Sequence, residues 1–125
     1  MKWLSCLLQR ATWTDISVKG YPMKKTIFTG VGTAIVTPMN SDGSINYDEF
    51  GKLIEFQIAN GADALVVCGT TGEASTMPDE EHLECVGYAV KKVAHRVPVI
   101  AGTGANDTAH GIRLSTAAEK LGADA

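Results

Sequence analysis

The sequence predicts an α/β protein built from three consecutive units of strand, loop and helix. Two observations predict this class. Apolar runs alternate with segments whose apolar residues recur at helical spacing, and the alternation repeats about every 30 residues. In addition, the tetrapeptide Gly-Ala-Asp-Ala leads into the second unit at residues 61–64 and returns after the third unit at residues 122–125. We therefore expect parallel strands as in a (β/α)₈ barrel or a doubly wound sheet, with the chain reaching the start of a fourth strand.

The first unit opens with an apolar strand over residues 31–37, which Pro38 ends. A loop rich in turn residues follows, and Asn46 then offers a helix cap with Glu49 three residues on. The apolar side chains of the helix share one face: Phe50, Leu53, Ile54 and Ile58. Asn60-Gly61 is expected to close this helix.

The second unit starts at Asp63 with a strand that is polar on neither face, which is typical of a parallel strand covered on both sides. Its helix is predicted to begin at a Thr76 cap, with Pro78 and Asp79 in the first turn. The expected apolar stripe of the helix is Leu83, Val86, Val90, Val93 and Val97. Basic residues in the last turns suit the helix dipole: Lys91, Lys92, His95 and Arg96.

The third unit has its strand at residues 98–101 and a glycine-rich loop at residues 102–106. Asp107 is predicted to cap the helix that follows, and Gly122 to end it. The expected buried face of this helix is formed by Leu114, Ala117, Ala118 and Leu121.

The composition excludes several classes of protein. The formal net charge is −3 and no run of Lys or Arg occurs, so we expect no nucleic-acid partner. No apolar run approaches the length of a membrane span, so we expect no membrane partner. The three cysteines, Cys6, Cys68 and Cys85, form no paired framework, which favours a reducing cytoplasm.

Residues 1–25 differ from the rest of the chain. Their start resembles a secretory signal, but its apolar core is short and Gln9-Arg10 interrupts it. We expect a disordered or extraneous leader over residues 1–25, and a domain over residues 26–125.

The turn after the second strand is the strongest candidate for a functional site. Its sequence is Gly69-Thr70-Thr71-Gly72-Glu73, at the carboxyl end of a predicted parallel strand, which is where α/β proteins bind ligands. The glycines allow a tight turn, and each threonine brings a hydroxyl and a backbone N–H. Such a turn is suited to a small anion. Glu73 is expected to anchor the turn by accepting backbone N–H bonds rather than to act as a base.

Nucleotide and metal sites are weaker interpretations. Gly30-Val31-Gly32 precedes its strand, and Gly102-Thr103-Gly104 lacks the third glycine of a dinucleotide fingerprint, so both are expected to be ordinary turn glycines. His82 and Cys85 lie three residues apart on a helix, but no second pair supports a metal site. We expect a surface histidine, a core thiol, and neither a metal nor a cofactor.

Three segments together resemble the opening of a known family. Residues 33–38, 69–73 and 101–106 are similar to the first three units of the dihydrodipicolinate synthase family, and the resemblance covers residues 26–125. It implies a (β/α)₈ TIM barrel cut at the start of strand 4. It also implies a class I aldolase that condenses pyruvate with aspartate semialdehyde through a lysine Schiff base, in the biosynthesis of lysine and diaminopimelate. The full-length family member is expected to be a homotetramer.

The resemblance also implies roles for individual residues. Thr71 is expected to bind the pyruvate carboxylate and Thr70 to belong to a proton relay completed by tyrosines beyond Ala125. The Schiff-base lysine of the family follows its sixth strand, also beyond Ala125. The lysines of this chain lie in the leader or in predicted helices: Lys24, Lys25, Lys52, Lys91, Lys92 and Lys120. We therefore expect the chain alone to be inactive.

Some family members are inhibited by lysine at a dimer interface. The matching positions here are Ser75, Asn106 and His110, and the histidine at position 82 is kept. Because His110 replaces a carboxylate that could pair with the ammonium of the effector, we expect a full-length enzyme that is insensitive or weakly sensitive to lysine.

Two alternatives remain open at this stage. One is a sibling pyruvate-dependent aldolase of the N-acetylneuraminate lyase type, which typically has serine where Thr70 stands. The other is a non-catalytic fragment that serves as a folding or interaction module, because three βα units leave an open sheet edge.

Overall fold

The computed structural model describes residues 26–125. Residues 1–25, which include the expected leader and Cys6, lie outside the described residues. Strands and helices alternate as predicted: β1 (Gly32–Ala34), α1 (Tyr47–Ala59), β2 (Ala64–Val67), α2 (Asp79–Val93), β3 (Val99–Ala101) and α3 (Thr108–Leu121). A 3₁₀ turn at Ala74–Thr76 precedes α2. No helix within residues 26–125 has both the length and the apolar character needed to cross a bilayer.

The three strands form one parallel sheet in the order β1-β2-β3. Consecutive parallel strands joined by connections of the same hand place all their helices on one face of the sheet. Leu65 and Val67 of β2 are fully buried beneath this helical layer. On the other face, Val66 pairs in register with Ala34 and Ile100, and none of the three is buried. The expectation that β2 is covered on both sides therefore holds for one face only within the described residues.

The core lies between the sheet and the helices. Phe50 and Ile54 of α1, and Val86 and Val93 of α2, are completely buried. The predicted stripe of α2 is only partly confirmed, because Leu83, Val90 and Val97 are half-buried. The buried face also includes residues that are smaller or polar: His82, Cys85, Gly87 and Ala89. Since α2 contacts α1, α3 and β3 together, it buries a wider face than an apolar stripe predicts.

Side-chain caps begin two of the helices as predicted. The Asn46 side chain accepts the Glu49 N–H at 3.0 Å at the start of α1. At the start of α3, the Asp107 carboxylate accepts the N–H groups of Ala109 and His110, both at 3.1 Å. Gly122 ends α3 in the left-handed conformation, with φ +96°.

The predicted Thr76 cap of α2 is wrong. Thr76 lies in the 3₁₀ turn, and its hydroxyl donates to the Glu73 carbonyl at 2.8 Å instead of accepting an N–H from the first turn of α2. Pro78 is the residue that flanks α2. The extra turn moves the start of the helix beyond the reach of the threonine side chain.

The carboxyl end of α2 also differs from the prediction. The helix ends at Val93, so Lys91 and Lys92 lie in its last turn as predicted, whereas His95, which has a positive φ angle like Ala94, and Arg96 lie beyond it. Arg96 instead reaches across to α1, where its guanidinium donates to both oxygens of Glu55 at 2.7 and 2.9 Å. These bonds lower the pKa of Glu55 to about 2.

β1 is shorter than the predicted strand over residues 31–37. Its last ladder bond runs from the Ile35 N–H to the Val66 carbonyl, at 3.0 Å. Beyond it the chain turns toward the loop after β2, where the buried Thr37 hydroxyl donates to the Gly72 carbonyl at 2.8 Å. A side-chain contact to a loop thus replaces the strand pairing that the apolar run predicts.

The repeated tetrapeptide has the same structural role at both of its positions. The Asp63 carboxylate accepts the Val31 N–H, and the Asp124 carboxylate accepts the Val99 N–H, each at 2.8 Å. In each case the aspartate of the tetrapeptide binds the backbone at the start of the preceding strand. The Ala101 N–H also donates to the Ala125 carbonyl at 2.7 Å, so the last residues pair with β3 as a following strand does.

Candidate functional site

The turn at residues 68–74 follows β2 and lies at the carboxyl end of the sheet. Internal hydrogen bonds close it: the Gly69 carbonyl accepts the N–H groups of Gly72 at 3.0 Å and Ala74 at 3.2 Å. The Glu73 N–H donates to the Thr70 carbonyl at 3.1 Å. Together with the bond from Thr37, this network holds the turn in one conformation.

Two glycines allow close packing around Cys68, the residue that leads into the turn. A Cβ atom at Gly102 would lie 2.3 Å from the Cys68 carbonyl oxygen, and one at Gly72 would lie 3.0 Å from the Cys68 nitrogen. The Gly102 N–H donates to the Val67 carbonyl at 2.8 Å. The loop after β3 therefore lies directly against the turn, at a distance that only glycine permits at position 102.

Thr70 and Thr71 lie where the sequence predicts them, in the turn after β2, and both are exposed. Within residues 26–125 their hydroxyl and N–H groups form no hydrogen bond to protein. Hydroxyl and amide donors that are unpaired, adjacent and held by a rigid turn are the groups that bind a carboxylate. The arrangement is therefore suited to a small organic anion.

The expected role of Glu73 is wrong. Glu73 is exposed and has φ +60°, and among the described residues its carboxylate accepts no backbone N–H. The main-chain carbonyl of Glu73 forms the anchor instead, accepting from the Thr76 N–H at 3.0 Å and from the Thr76 hydroxyl at 2.8 Å. The left-handed backbone directs this carbonyl into the 3₁₀ turn.

A cleft of about 670 Å³ opens beside the turn, between the starts of α2 and α3. Thr70 lines one side of it, and the other predicted site residues that line it are Ser75, Asn106 and His110. Thr71 is not among its lining residues. The two threonines therefore face different surroundings, although they are neighbours in the chain.

A hydrogen bond that sequence reasoning missed lies in this cleft. The His110 Nε2 is 2.9 Å from Asp79 Oδ1 and 3.0 Å from Oδ2. Asp79 was expected only to lie in the first turn of α2. The available signal was positional, since both residues lie in the first turns of adjacent helices in a repeating βα pattern.

His82 is not a surface residue. It is 3% exposed, and its Nε2 has no hydrogen-bond partner among the described residues. Burial lowers the pKa of its imidazole and outweighs the nearby Gly102 carbonyl, which acts in the opposite direction. His82 is also one of the residues that line the cleft, although its unpaired nitrogen is itself buried. No cluster of three or more metal-ligating side chains occurs in residues 26–125.

The described lysines all lie on helices. Lys52 is on α1, Lys91 and Lys92 are on α2, and Lys120 is on α3. Two of them pair with carboxylates: Lys52 with Glu49 at 2.7 Å and Lys92 with Glu55 at 3.5 Å. None of the four lines the cleft beside Thr70.

Comparison with known proteins gives concordant results. The model of the dihydrodipicolinate synthetase family matches residues 27–125. A 4-hydroxy-tetrahydrodipicolinate synthase from Acetivibrio thermocellus is 62% identical over 103 residues, which cover 82% of this chain and 35% of the relative. The crystal structure of dihydrodipicolinate synthase from Aquifex aeolicus superposes with a TM-score of 0.75 at 46% identity, covering 78% of this chain and 33% of that one.

A second solved structure is the chloride-inhibited dihydrodipicolinate synthase from Acinetobacter baumannii complexed with pyruvate. It has a TM-score of 0.76 and 46% identity, and the match covers 79% of this chain and 34% of that one. The chain thus spans about a third of the length of these relatives. Because these neighbours have the TIM-barrel fold, the three βα units correspond to the first three of a (β/α)₈ barrel. The chain belongs to the dihydrodipicolinate synthetase family.

Proposed function

We propose that residues 26–125 form the N-terminal part of a cytoplasmic class I aldolase, which condenses pyruvate with aspartate semialdehyde in lysine and diaminopimelate biosynthesis. The family and the names of the relatives support this proposal. The complex of the Acinetobacter baumannii relative with pyruvate supports the choice of keto acid. The Schiff base with pyruvate then forms on a lysine outside this chain.

The observation that carries the proposal is that Thr71 has two hydrogen-bond donors, its hydroxyl and its N–H, with no partner among the described residues. Thr71 is exposed at the carboxyl end of β2, and its hydroxyl and N–H belong to a turn that is already closed by hydrogen bonds. A carboxylate that accepts from both groups is bound without reorganisation of the turn. In this proposal Thr71 fixes the carboxylate of pyruvate and thereby orients its carbonyl toward the attacking amine.

Thr70 is proposed to carry a proton. Its exposed hydroxyl is adjacent to the carboxylate-binding residue and has no partner within the described chain, so it can both accept and donate a proton. Condensation requires protons to move at the former pyruvate carbonyl and at the aldehyde oxygen. Thr70 would act in a relay with side chains from elsewhere in the complete barrel.

The experiment transfers residues 27–125 into the Acetivibrio thermocellus synthase in place of its matching segment. In this chimera we expect Thr71→Val to raise the KM for pyruvate about 10- to 100-fold, which corresponds to the loss of a hydrogen bond to a charged group. Thr71→Ser is the matched control, because it keeps both donors. We expect Thr70→Val to lower kcat by at least about 100-fold, the lower range for loss of a proton-transfer group.

Two results would count against the assignment. An unchanged KM for pyruvate in Thr71→Val would remove Thr71 from the carboxylate site. Equal losses in Thr71→Val and Thr71→Ser would indicate a packing defect instead of lost donors. If the parent chimera is folded but cleaves sialic acid in preference to condensing pyruvate with aspartate semialdehyde, the sibling lyase is the better assignment.

We propose that the cleft of about 670 Å³ is the effector site of the complete enzyme and takes lysine weakly. Ser75, Asn106 and His110 line it, and Asp79 supplies a carboxylate that could pair with the ammonium of the effector. His110 already holds both oxygens of that carboxylate. The ammonium must therefore compete with His110, which weakens binding.

Lysine inhibition of the same chimera tests this proposal. We expect weak inhibition in the parent chimera and stronger inhibition in His110→Glu, because the substitution frees Asp79 and adds a second carboxylate. His110→Ala separates the two effects, since it frees Asp79 without adding charge. Half-inhibition of the parent at micromolar lysine would contradict the proposal.

A further inference from the structure

One buried hydroxyl contacts the turn at residues 68–74. Thr37 follows β1 and is 4% exposed, and its hydroxyl donates to the Gly72 carbonyl at 2.8 Å. Within residues 26–125, Thr37 and His82 are the two buried polar residues. Burial of a hydroxyl is unfavourable unless the group forms a hydrogen bond. Valine has the same branched shape and fills a buried position without this penalty, so the core by itself gives no reason for a hydroxyl here.

The Gly72 carbonyl depends on this hydroxyl. Among the described residues it accepts no other hydrogen bond. Gly72 is itself buried, and a Cβ atom there would lie 3.0 Å from the Cys68 nitrogen and 3.3 Å from the Ile35 carbonyl oxygen. Without the hydroxyl, the carbonyl would either stay unpaired or reach water through a shift of the turn.

Gly72 also closes the turn in which the two threonines lie. Its N–H donates to the Gly69 carbonyl at 3.0 Å, so Thr70 and Thr71 are the central residues of a β-turn. Among the hydrogen bonds of the described part of the chain, the bond from Thr37 is the one that joins this turn to a different βα unit. A shift of Gly72 therefore moves the donors of the neighbouring Thr71.

Thr37 is held on both sides by other elements. Two residues earlier, the Ile35 N–H donates to the Val66 carbonyl at 3.0 Å at the end of β1. One residue later, the Pro38 carbonyl accepts the N–H of Asn46, the cap of α1, at 2.8 Å. A proline also restricts the backbone of the residue before it. Thr37 is thus fixed by the first βα unit independently of the turn.

We propose that Thr37 is a positioning residue of the carboxylate site. Its hydroxyl, through the Gly72 carbonyl, holds the turn in the geometry in which Thr71 presents both donors to the keto acid. Because Thr37 is buried, it acts through the turn. Hydrogen bonds weaken steeply when the donor is misaligned, so a small displacement of the turn lowers affinity without unfolding the protein. The effect on binding rests on the proposed function of Thr71, whereas the restraint of the turn by Thr37 does not.

The test uses the chimera with the Acetivibrio thermocellus synthase, because the chain alone is expected to be inactive. Thr37→Val removes the hydroxyl and keeps the branched shape. We expect amide hydrogen exchange in the peptide that contains Gly72, Glu73 and Ala74 to become at least about 10-fold faster, as measured by mass spectrometry. We also expect the KM for pyruvate to rise about 3- to 10-fold. This rise is smaller than in Thr71→Val because the donors are displaced and not removed.

Three further variants separate positioning from packing. Thr37→Ser keeps the hydroxyl and should restore both the slow exchange and the low KM for pyruvate. Thr33→Val removes a half-buried hydroxyl within β1, beside Leu65 instead of the turn, and should change neither quantity. If Thr37→Val does not fold, Thr37→Ala is compared with Thr37→Ser, since these two variants differ only in the hydroxyl.

Three results would overturn the proposal. One is unchanged exchange at the turn in Thr37→Val. Another is an unchanged KM for pyruvate in Thr37→Val when Thr71→Val raises it. The third is that Thr37→Ser loses as much as Thr37→Val. An unchanged KM in Thr71→Val refutes instead the proposed function of Thr71, and faster exchange in Thr37→Val then still supports the restraint of the turn by Thr37.

Discussion

Gly102 is the residue at which the two loops of the site meet. A Cβ atom there would lie 2.3 Å from the carbonyl oxygen of Cys68, and this neighbour is backbone that cannot rotate away. We predict that Gly102→Ala lowers the free energy of unfolding by about 1–3 kcal/mol or more, the cost of overpacking. Urea denaturation of the chain measures it.

Gly104 provides the matched control for this substitution. It lies in the same loop and has open space around the position of a Cβ atom. Gly104→Ala should therefore leave the free energy of unfolding nearly unchanged. If the two substitutions lower the free energy of unfolding equally, the close approach of Gly102 to Cys68 is not the cause of the effect.

His82 makes stability depend on pH. Its ordinary pKa is 6.5, and burial lowers the pKa in the folded protein. The unfolded chain therefore binds a proton that the folded chain does not, and stability falls as the pH drops through 6.5. We predict that His82→Leu flattens the fall in unfolding free energy between about pH 7.5 and 5.5. The same substitution at the exposed His95 is the control. If the free energy of unfolding of His82→Leu still falls with pH as in the unsubstituted chain, the prediction is contradicted.

Among the secondary-structure elements, the beginnings of β1 and β3 are each held by the same kind of hydrogen bond. Asp63 accepts the Val31 N–H at 2.8 Å, as Asp124 accepts that of Val99. We predict that Asp63→Ala lowers the free energy of unfolding by about 0.5–1.5 kcal/mol, the net value of a hydrogen bond. Asp63→Asn keeps an acceptor oxygen and should retain most of that stability, as measured by urea denaturation. If Asp63→Asn lowers the free energy of unfolding as much as Asp63→Ala does, the charge of the Asp63 side chain matters and its acceptor oxygen does not.

The elements themselves were largely predictable, because helices and strands depend on local pattern. The spacing of Phe50 and Ile54, the cap at Asn46 and the closing glycine at 122 all act within one or two turns of the chain. The errors lie where a distant contact overrides the local pattern. Thr37 leaves the strand to bind Gly72, and α2 buries His82 because three elements surround the helix.

At the scale of the whole chain, the positions of the lysines indicate whether the chain can form a Schiff base with pyruvate. Lys52, Lys91, Lys92 and Lys120 all lie on helices, and the pKa of Lys52 is raised by its hydrogen bond to Glu49, so its amine stays protonated. We predict that borohydride treatment with pyruvate leaves no covalent adduct on the 125-residue chain. Intact mass spectrometry measures this, with the Acetivibrio thermocellus synthase as the positive control. An adduct on the chain alone would contradict the prediction.

The sequence by itself determined the order of strands and helices, the glycine-flanked turn at Thr70 and Thr71, and the family, because each is encoded in residues close together along the chain. Only the tertiary structure decided which distant groups meet. The contact between Asp79 and His110 and the burial of His82 depend on how α2 packs between α3 and the sheet. Such contacts join residues from different βα units, and periodicity within one unit carries no information about them.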